Sequence, residues 1–278
     1  MRVSVIIPTF NRKHTLTRAL ESVINQTYQP DEIIVIDDCS EDGTSDWIQT
    51  EYPSINLITL SSTNSPKGVS YARNVGIKMA KCDWIALLDS DDEWLPKKLE
   101  FQIKLIKNNP NSLFCHTNEI WIRNGVRVNQ MKKHQKYGGY IFDKCLDICR
   151  ISPSSSLLHN SILDEVGMFD DDLKVCEDYD LWLRITAKYN VLFLDEALIN
   201  KYGGHNDQLS KVTGGIEKYR IIALENIMSS GLLDKTQFDQ AKASLFSKYH
   251  IYEKGLKKRG KLDELKKIKS RILYWTYI

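Results

Sequence analysis

Residues 84–94 read WIALLDSDDEW. Five apolar residues are followed at once by three carboxylates, Asp89, Asp91 and Asp92. A continuous apolar run of this length is typical of a strand that is buried on both faces, as in a parallel sheet. The stretch therefore predicts an α/β fold with acidic side chains beyond the carboxyl end of an inner strand, where such sheets bind ligands.

The same pattern recurs towards the N-terminus. Three further apolar runs occupy residues 3–7, 33–36 and 57–60. Between them, apolar residues recur at helical spacing within residues 16–23 and 72–79. This βαβα order predicts a mostly parallel central sheet that is flanked by helices.

The remainder of the chain changes character twice. Residues 114–202 mix strand-like pieces with a helix that we expect over residues 178–189. From residue 214 onward, apolar residues recur at three- and four-residue spacing, which predicts an all-helical tail. We therefore expect an α/β domain over residues 1–213 and a basic helical extension over residues 214–278.

Composition excludes several classes of protein. The 278 residues are 42% hydrophobic and 27% charged, which excludes disordered, collagen-like and disulfide-scaffold proteins. The net charge of +2 offers no reason to expect a nucleic-acid partner. The chain lacks a long apolar run and an N-terminal signal segment, so we expect a cytoplasmic protein with its six scattered cysteines reduced.

The acidic stretch predicts a cation site. Carboxylates this close together repel one another unless a cation neutralises them. Mg²⁺ and Mn²⁺ prefer hard oxygen ligands, and proteins usually bind Mg²⁺ through one or two carboxylates together with substrate phosphates. The alternative is an acidic loop that complements the dipole of the next helix. Trp94, beside these carboxylates, is expected to contact a sugar.

Two further features point to a nucleotide. Asp37 and Asp38 end the second predicted strand, where a carboxylate could accept hydrogen bonds from a nucleobase imide or a ribose hydroxyl. Arg73 lies at the start of a predicted helix and could bind an anion there, although a solvated arginine is the alternative. Neither of the common glycine-rich nucleotide motifs is present.

Taken together, five segments resemble the family 2 glycosyltransferases of the GT-A fold. In chain order they are VSVIIPTFNR (3–12), IIVIDDCSEDGT (33–44), GVSYARNVGI (68–77), WIALLDSDDEW (84–94) and VCEDYDLWLRI (175–185). The resemblance covers roughly residues 1–210, and five ordered motifs are more specific than any one of them.

The resemblance implies the roles of individual residues at the donor site. Five match positions that hold the uracil, ribose and diphosphate of a nucleotide sugar: Pro8, Thr9, Asn11, Asp38 and Arg73. Asp89 matches a position near the ribose and the metal, and Asp91 matches a direct ligand of Mn²⁺ or Mg²⁺. His205 matches a histidine near the metal or diphosphate, although Gly203 and Gly204 replace a side chain that often precedes it.

An acidic cluster, Glu177 to Asp180, opens the predicted helix near residue 178. A carboxylate at this position could deprotonate an acceptor hydroxyl. Asp178 matches the base of the family, and Asp180 is a second candidate. The alternative is a cluster that only complements the helix dipole.

The resemblance implies inverting transfer of a hexose, glucose or galactose, from a UDP-sugar. The acceptor would be a glycan or a glycan linked to undecaprenyl diphosphate, in O-antigen or capsule synthesis. One alternative is a sugar-phosphate nucleotidyltransferase, whose glycine-rich phosphate loop is absent from this sequence. Another is a module that binds a nucleotide sugar without turnover.

The near-zero net charge conceals an asymmetry. Residues 216–278 contain 14 basic and 7 acidic residues, whereas residues 1–215 contain 24 basic and 29 acidic residues. Basic and apolar residues interleave in the tail, as in an interfacial helix that binds anionic lipid. Docking at the inner face of the cell membrane would suit a lipid-linked acceptor. The alternative is a helix that packs on the α/β domain with a solvated basic face.

Overall fold

The computed structural model describes residues 1–61, 65–204 and 215–278. Within these residues one sheet contains nine strands. They are Val3–Thr9 (β1), Glu32–Asp37 (β2), Asn56–Thr59 (β3), Trp84–Leu87 (β4), Glu93–Trp94 (β5), Phe114–Arg123 (β6), Val126–Val128 (β7), Ser156–His159 (β8) and Leu192–Gly203 (β9).

Helices connect and cover the strands. They are Lys13–Ile24 (α1), Thr44–Glu51 (α2), Val69–Met79 (α3), Lys98–Lys107 (α4), Phe142–Cys145 (α5), Ser161–Val166 (α6), Glu177–Lys188 (α7), Glu217–Ser229 (α8), Lys235–Lys258 (α9) and Leu262–Tyr277 (α10). The predicted strands, the helix near residue 178 and the helical character of the described tail are confirmed.

The sheet is parallel in its first half and mixed in its second. The strand order is β3-β2-β1-β4-β8-β6-β9-β5, and β7 pairs with β6. β1, β2, β3 and β4 pair in parallel, and β8 then joins both β4 and β6 antiparallel. The expected α/β sheet is confirmed, but its parallel character is confined to these first strands and to the β6–β9 pair.

β1 is buried on both faces, as its apolar sequence predicts. Ile6 packs in one hydrophobic cluster with Ala72 of α3. Ile7 points to the opposite face and packs in a second cluster with Leu16 of α1. Alternate side chains of one strand thus hold helices on both sides of the sheet.

Gly76 allows α3 to lie close to the sheet. A Cβ atom at this position would come within 2.5 Å of Ile6 Cγ2, a distance that real Cβ atoms do not tolerate. The close approach fixes the position of Arg73, which lies one turn earlier on the same helix. The glycine therefore matters for the placement of a site residue.

The C-terminal helices complete the main core. Tyr249 of α9 and Trp275 of α10 belong to the same hydrophobic cluster as Phe114 and Trp182 of the α/β domain. Gln237 Nε2 also donates a hydrogen bond of 2.8 Å to the Ala187 carbonyl. The tail therefore packs on the domain, as the second interpretation of its sequence proposed. No helix in the described residues is long and apolar enough to cross a membrane.

Candidate active site

Polar residues at three strand ends lie at one edge of the sheet. β2 and β4 flank β1 in parallel, so their carboxyl ends meet near Thr9, Asp38 and Asp89. The N-terminus of α3 reaches the same edge because the helix runs back between β3 and β4. The structure therefore brings the ends of these three strands and the start of α3 together at one edge.

The loops after β1 and β2 hold each other in place. Asn11 donates its N–H to Ser40 Oγ at 2.8 Å, and its Oδ1 accepts the Glu41 N–H at 2.8 Å. Asn11 and Cys39 both have left-handed backbone conformations, with φ of 51° and 68°. Such strain in non-glycine residues is concentrated at functional sites.

Pro8 and Thr9 form the end of β1 beneath these loops. Pro8 pairs with Ile36 of β2, and its side chain is buried. The buried Thr9 Oγ1 has no hydrogen-bond partner within residues 1–61, 65–204 and 215–278. A buried hydroxyl without a partner is costly, so a ligand at this edge would satisfy it.

The Asp38 carboxylate holds the backbone that precedes α3. Its two oxygens accept the N–H groups of Lys67 at 2.9 Å and Gly68 at 2.7 Å. The side chain is buried. The structure thus places Asp38 at the predicted edge but engages it in shaping the turn, and direct nucleotide binding by this residue stays a prediction.

Arg73 links the carboxyl end of β4 to the start of α7. Its Nη2 donates to Asp89 Oδ1 and its Nη1 donates to Glu177 Oε1, each at 2.7 Å. Burial lowers the pKa of Arg73, but the charges of Asp89 and Glu177 raise it above its usual value. The open anion site expected here is therefore filled by two protein carboxylates.

The three carboxylates after β4 have different partners. Asp89 pairs with Arg73, as described. Asp92 is buried, where it accepts hydrogen bonds from Ser154 Oγ at 2.6 Å and the Tyr202 N–H at 3.0 Å. Burial, and then the charge of Asp91, raise the pKa of Asp92 well above its usual value. Asp92 thus shapes the turn, and Asp89 and Asp91 are the candidates for metal binding.

These carboxylates suit a cation that takes its remaining ligands from water and from the phosphates of a substrate. No group of three or more His, Cys, Asp or Glu side chains in the described ranges could hold an ion by itself. Mg²⁺ usually binds one or two carboxylates and completes its shell with water and phosphate oxygens. Asp89 and Asp91 suit that arrangement. His205, the third predicted ligand, lies outside the described residues.

The expected contact between Trp94 and a sugar is wrong. The residue is 2% exposed, and its Nε1 donates a hydrogen bond of 2.8 Å to the Ser154 carbonyl. The Lys98 ammonium lies 3.7 Å from the ring centroid on the inner side. Trp94 belongs to the core because β5 pairs with β9, which places the ring in the second hydrophobic cluster.

The two candidate bases at the start of α7 have different surroundings. Asp178 is half-buried and lines a cavity, and its oxygens accept hydrogen bonds from Cys149 Sγ at 3.2 Å and the Tyr179 N–H at 2.7 Å. Asp180 is buried, and its Oδ2 accepts from Arg184 Nε at 3.0 Å and Nη2 at 2.7 Å. Asp178 thus lines the cavity, whereas Asp180 serves an intrahelical ion pair, and the identity of the base stays a prediction.

The cavity beside Asp178 has a volume of about 300 Å³. Lys201 of β9 lines it, and sequence reasoning missed this residue because a single lysine in a strand carries no motif. Burial lowers the pKa of Lys201, but Glu119, Asp92 and Asp89 raise it above its usual value. Lys201 thus places a fixed positive charge between the acidic turn and the cavity.

Comparisons with known proteins identify the family of the chain. Residues 4–167 match the family model described as glycosyl transferase family 2. The match covers more than half of the chain, so the chain belongs to glycosyl transferase family 2.

Its relatives include one of stated specificity. WfgD of Escherichia coli, a UDP-Glc:alpha-D-GlcNAc-diphosphoundecaprenol beta-1,3-glucosyltransferase, is 35% identical over 189 residues, which cover 68% of this chain and 71% of WfgD. An uncharacterised glycosyltransferase of Rickettsia bellii is 32% identical over 211 residues, which cover 76% of this chain and 28% of that protein. This chain spans 28%, 37% and 39% of the lengths of three Rickettsia relatives.

Solved structures share the fold. Staphylococcus aureus TarS 1-349 in complex with UDP-GlcNAc has a TM-score of 0.70 and 22% identity, over 90% of this chain and 72% of that one. The mannosyltransferase PcManGT of Pyrobaculum calidifontis, in complex with GDP-Man and Mn²⁺, has a TM-score of 0.62 and 16% identity, over 99% of this chain and 84% of that one. The predicted GT-A fold is confirmed.

Proposed function

We propose that the chain transfers a hexose, glucose or galactose, from a UDP-sugar to a hydroxyl of a glycan linked to a lipid diphosphate. Membership of the family and the stated substrates of the E. coli relative support this proposal. The acceptor would belong to the synthesis of a cell-surface polysaccharide.

The proposal rests on the two ion pairs of Arg73, which connect the proposed donor site at the end of β4 with the proposed base at the start of α7. Arg73 binds Asp89 at the end of β4 and Glu177 at the start of α7. Asp178 follows Glu177 directly and faces the cavity. The side chain that would receive the acceptor proton is therefore positioned by the same arginine that holds a donor-site carboxylate.

On the donor side, the chain supplies a preformed edge. The interlocked loops after β1 and β2 provide polar groups for the nucleotide, as does the Thr9 hydroxyl, which has no hydrogen-bond partner in the described residues. Asp91 and Asp89 would hold Mn²⁺ or Mg²⁺ together with the donor diphosphate. When bound, such an ion stabilises the negative charge of the departing diphosphate.

On the acceptor side, Asp178 would act as the general base. Its carboxylate takes the proton of the acceptor hydroxyl while that oxygen forms a bond to the anomeric carbon, and the bond from this carbon to the UDP oxygen breaks. Attack from the face opposite to UDP inverts the anomeric configuration. The hydrogen bonds from Cys149 and Tyr179 fix the carboxylate. Such a base contributes about 10²- to 10⁴-fold in rate.

Two substitutions test these roles. Asp178→Asn should leave UDP-sugar binding unchanged and lower kcat by at least about 10²-fold. Asp172→Asn, an exposed carboxylate six residues earlier, is the matched control. Asp91→Ala should remove the Mn²⁺ dependence of UDP binding in calorimetry. Turnover retained by Asp178→Asn would refute the base assignment.

The alternatives are separate outcomes of the same assay. UDP-sugar binding without UDP release or product, across acceptors of several classes, would identify a binding module. Exchange of diphosphate into a nucleotide sugar would identify a nucleotidyltransferase. The anomeric configuration of the product, read by NMR coupling constants, tests inversion.

We also propose that one face of α10 lies on an anionic membrane. Ile268 and Trp275 bury one side of this helix, whereas Leu262, which lies beside Lys261 and Lys266, is 66% exposed and Tyr277 is 83% exposed. Exposed apolar side chains beside basic ones are typical of interfacial helices. Because truncation would also remove core residues, a charge at Leu262 (Leu262→Glu) is the better test. It should reduce co-sedimentation with anionic vesicles, and equal co-sedimentation would refute the proposal.

A further inference from the structure

The cavity beside Asp178 carries an excess of positive charge. Six basic side chains line it: Arg123, Lys133, Lys136, Arg150, Lys201 and Arg220. The acidic side chains in its wall are Glu119 and Asp178. Glu119 is already neutralised by Lys136 in a buried ion pair of 3.0 Å. Lys201 interacts with the charges of the acidic turn and Arg220 pairs with Glu217, so within the described residues the lining cations without a carboxylate partner are Arg123, Lys133 and Arg150.

Arg150 is held rigidly without losing its charge. Its Nη1 donates to the carbonyls of Lys133 and Gln135, and its Nε donates to the Lys144 carbonyl. No carboxylate in the described parts of the chain pairs with it. Burial and then Lys133, Arg150 and Arg123 lower the pKa of His134, which lines the same cavity, so their positive field reaches the cavity. A guanidinium fixed by backbone carbonyls is pre-organised for an anion.

Trp121 supplies a rigid aromatic surface in the same wall. Its Nε1 donates to Glu119 Oε1 at 2.7 Å, and its ring centroid lies 4.7 Å from that of His134. The ring is partly exposed to the cavity. The cavity thus combines a carboxylate, an aromatic surface that a sugar could pack against, and cations, of which Arg150 is held by backbone carbonyls and Arg123 and Lys133 are exposed.

We propose that Arg123, Lys133 and Arg150 bind the diphosphate that joins the acceptor sugar to its carrier. Trp121 packs against that sugar, whose hydroxyl faces Asp178. This inference rests on the proposed function and assigns the residues that recognise the acceptor. Phosphate oxygens form charge-assisted hydrogen bonds with guanidinium and ammonium groups, whereas a neutral glycoside would supply no negative charge to these three side chains. The cavity therefore selects an acceptor by its phosphates as well as by its sugar.

Three acceptors with the same sugar and alkyl chain test the proposal: an alkyl diphosphate, an alkyl monophosphate and a neutral alkyl glycoside. We expect the wild-type kcat/KM to fall in that order. In R123Q/K133Q, kcat/KM for the diphosphate should fall by about 10- to 100-fold, about tenfold for each lost charge-assisted bond. Its kcat/KM for the neutral glycoside and its affinity for UDP should not change. K104Q/K107Q, two exposed lysines of α4 that do not line the cavity, is the control.

Calorimetric binding of the alkyl diphosphate without donor separates this proposal from the proposed function. Equal transfer to all three acceptors, or an equal loss on the neutral glycoside in R123Q/K133Q, would overturn the acceptor assignment while transferase activity stands. Weaker diphosphate binding by R123Q/K133Q in a protein without transferase activity would support the site and refute the proposed function. Equal diphosphate binding by wild type and R123Q/K133Q would overturn the assignment in either case.

Discussion

Replacement of Arg73 by methionine should destabilise the protein more than any surface ion pair could. The Arg73 side chain is 3% exposed and binds both Asp89 and Glu177 at 2.7 Å. Methionine keeps most of the volume but leaves the buried Glu177 carboxylate and the Asp89 carboxylate, which is 26% exposed, without their shared partner. Breaking a buried pair in this way costs about 3–5 kcal/mol. For a chain of this size we expect the Tm to fall by about 10 °C.

A second ion pair with the same N···O distance provides the control. Lys188 binds Glu165 at 2.7 Å, but these side chains are 37% and 53% exposed. Solvent screens such a pair, so Lys188→Met should cost less than about 1 kcal/mol. The N···O distance is the same in both pairs, but the Lys188 pair is exposed and has one carboxylate where Arg73 has two, so a much smaller loss is expected.

The effect of Arg73→Met should also depend on pH. Burial, opposed by Arg73, raises the pKa of Glu177 to about 7. Loss of the arginine raises it further, so the folded variant binds a proton that the unfolded chain releases above about pH 4.5. Stability of the variant should therefore fall as pH rises from 5.5 to 8.

Urea denaturation at both pH values measures these differences, and Glu177→Gln in the Arg73→Met background tests their origin. Removing the second unpaired charge should recover at least about 1 kcal/mol at pH 8. A loss no larger than that of Lys188→Met, or no recovery in the double variant, would refute the account of a buried network.

Three further predictions concern buried side chains. Burial lowers the pKa of His116 to about 3, so only the unfolded state gains a proton as the pH falls below 6.5. The free energy of unfolding should therefore fall by roughly 2–3 kcal/mol between pH 7 and pH 4.5. In urea denaturation, His116→Gln should lose much less over the same range. Asp180→Asn should lower the free energy of unfolding by about 2 kcal/mol, measured by thermal unfolding, because it weakens the pair with Arg184. The variant should retain most of its kcat, and a loss of kcat as large as that of Asp178→Asn would support Asp180 as the base. Trp94→Phe should lower Tm and leave the acceptor KM unchanged, whereas a raised KM with unchanged Tm would restore its contact with a sugar.

Much of the fold could be predicted because its signals are local. The apolar runs at β1, β2 and β4 are long enough to need burial on both faces, and the helical periods between them order the sheet. The carboxylates at the strand ends then follow from topology alone. The second half of the sheet gave weaker signals because β5 and β7 are short and β5 pairs antiparallel with a strand about 100 residues away.

The site was harder to predict because its contacts join distant residues. Arg73 and Glu177 are 104 positions apart, and no local pattern shows that their side chains meet. Asp180 resembles Asp178 in sequence, but helix geometry turns it towards Arg184 one turn later. Trp94 follows the acidic turn directly, and only the pairing of β5 with β9 shows that it points inward.

Charge counts also failed to locate the positive cavity. Arg123, Lys133 and Arg150 lie in residues 1–215, where acidic residues outnumber basic ones. The acidic residues of that segment are largely elsewhere, at the strand ends and on the surface. Local fields depend on which side chains the fold brings together, so a segment that is acidic on average can still form a basic cavity.

The acidic turn should bind its cation and its donor together. Both oxygens of Asp92 and one of Asp89 already accept hydrogen bonds from the protein. Lys201 adds a positive charge that acts on Asp89 and Asp92 and weakens the attraction of the turn for a free ion. A cation at Asp91 and Asp89 would then depend on the diphosphate for further oxygen ligands and negative charge. Because such coupling is reciprocal, a cation bound here would raise the affinity for the proposed UDP-sugar by the same factor as that donor raises the affinity for the cation.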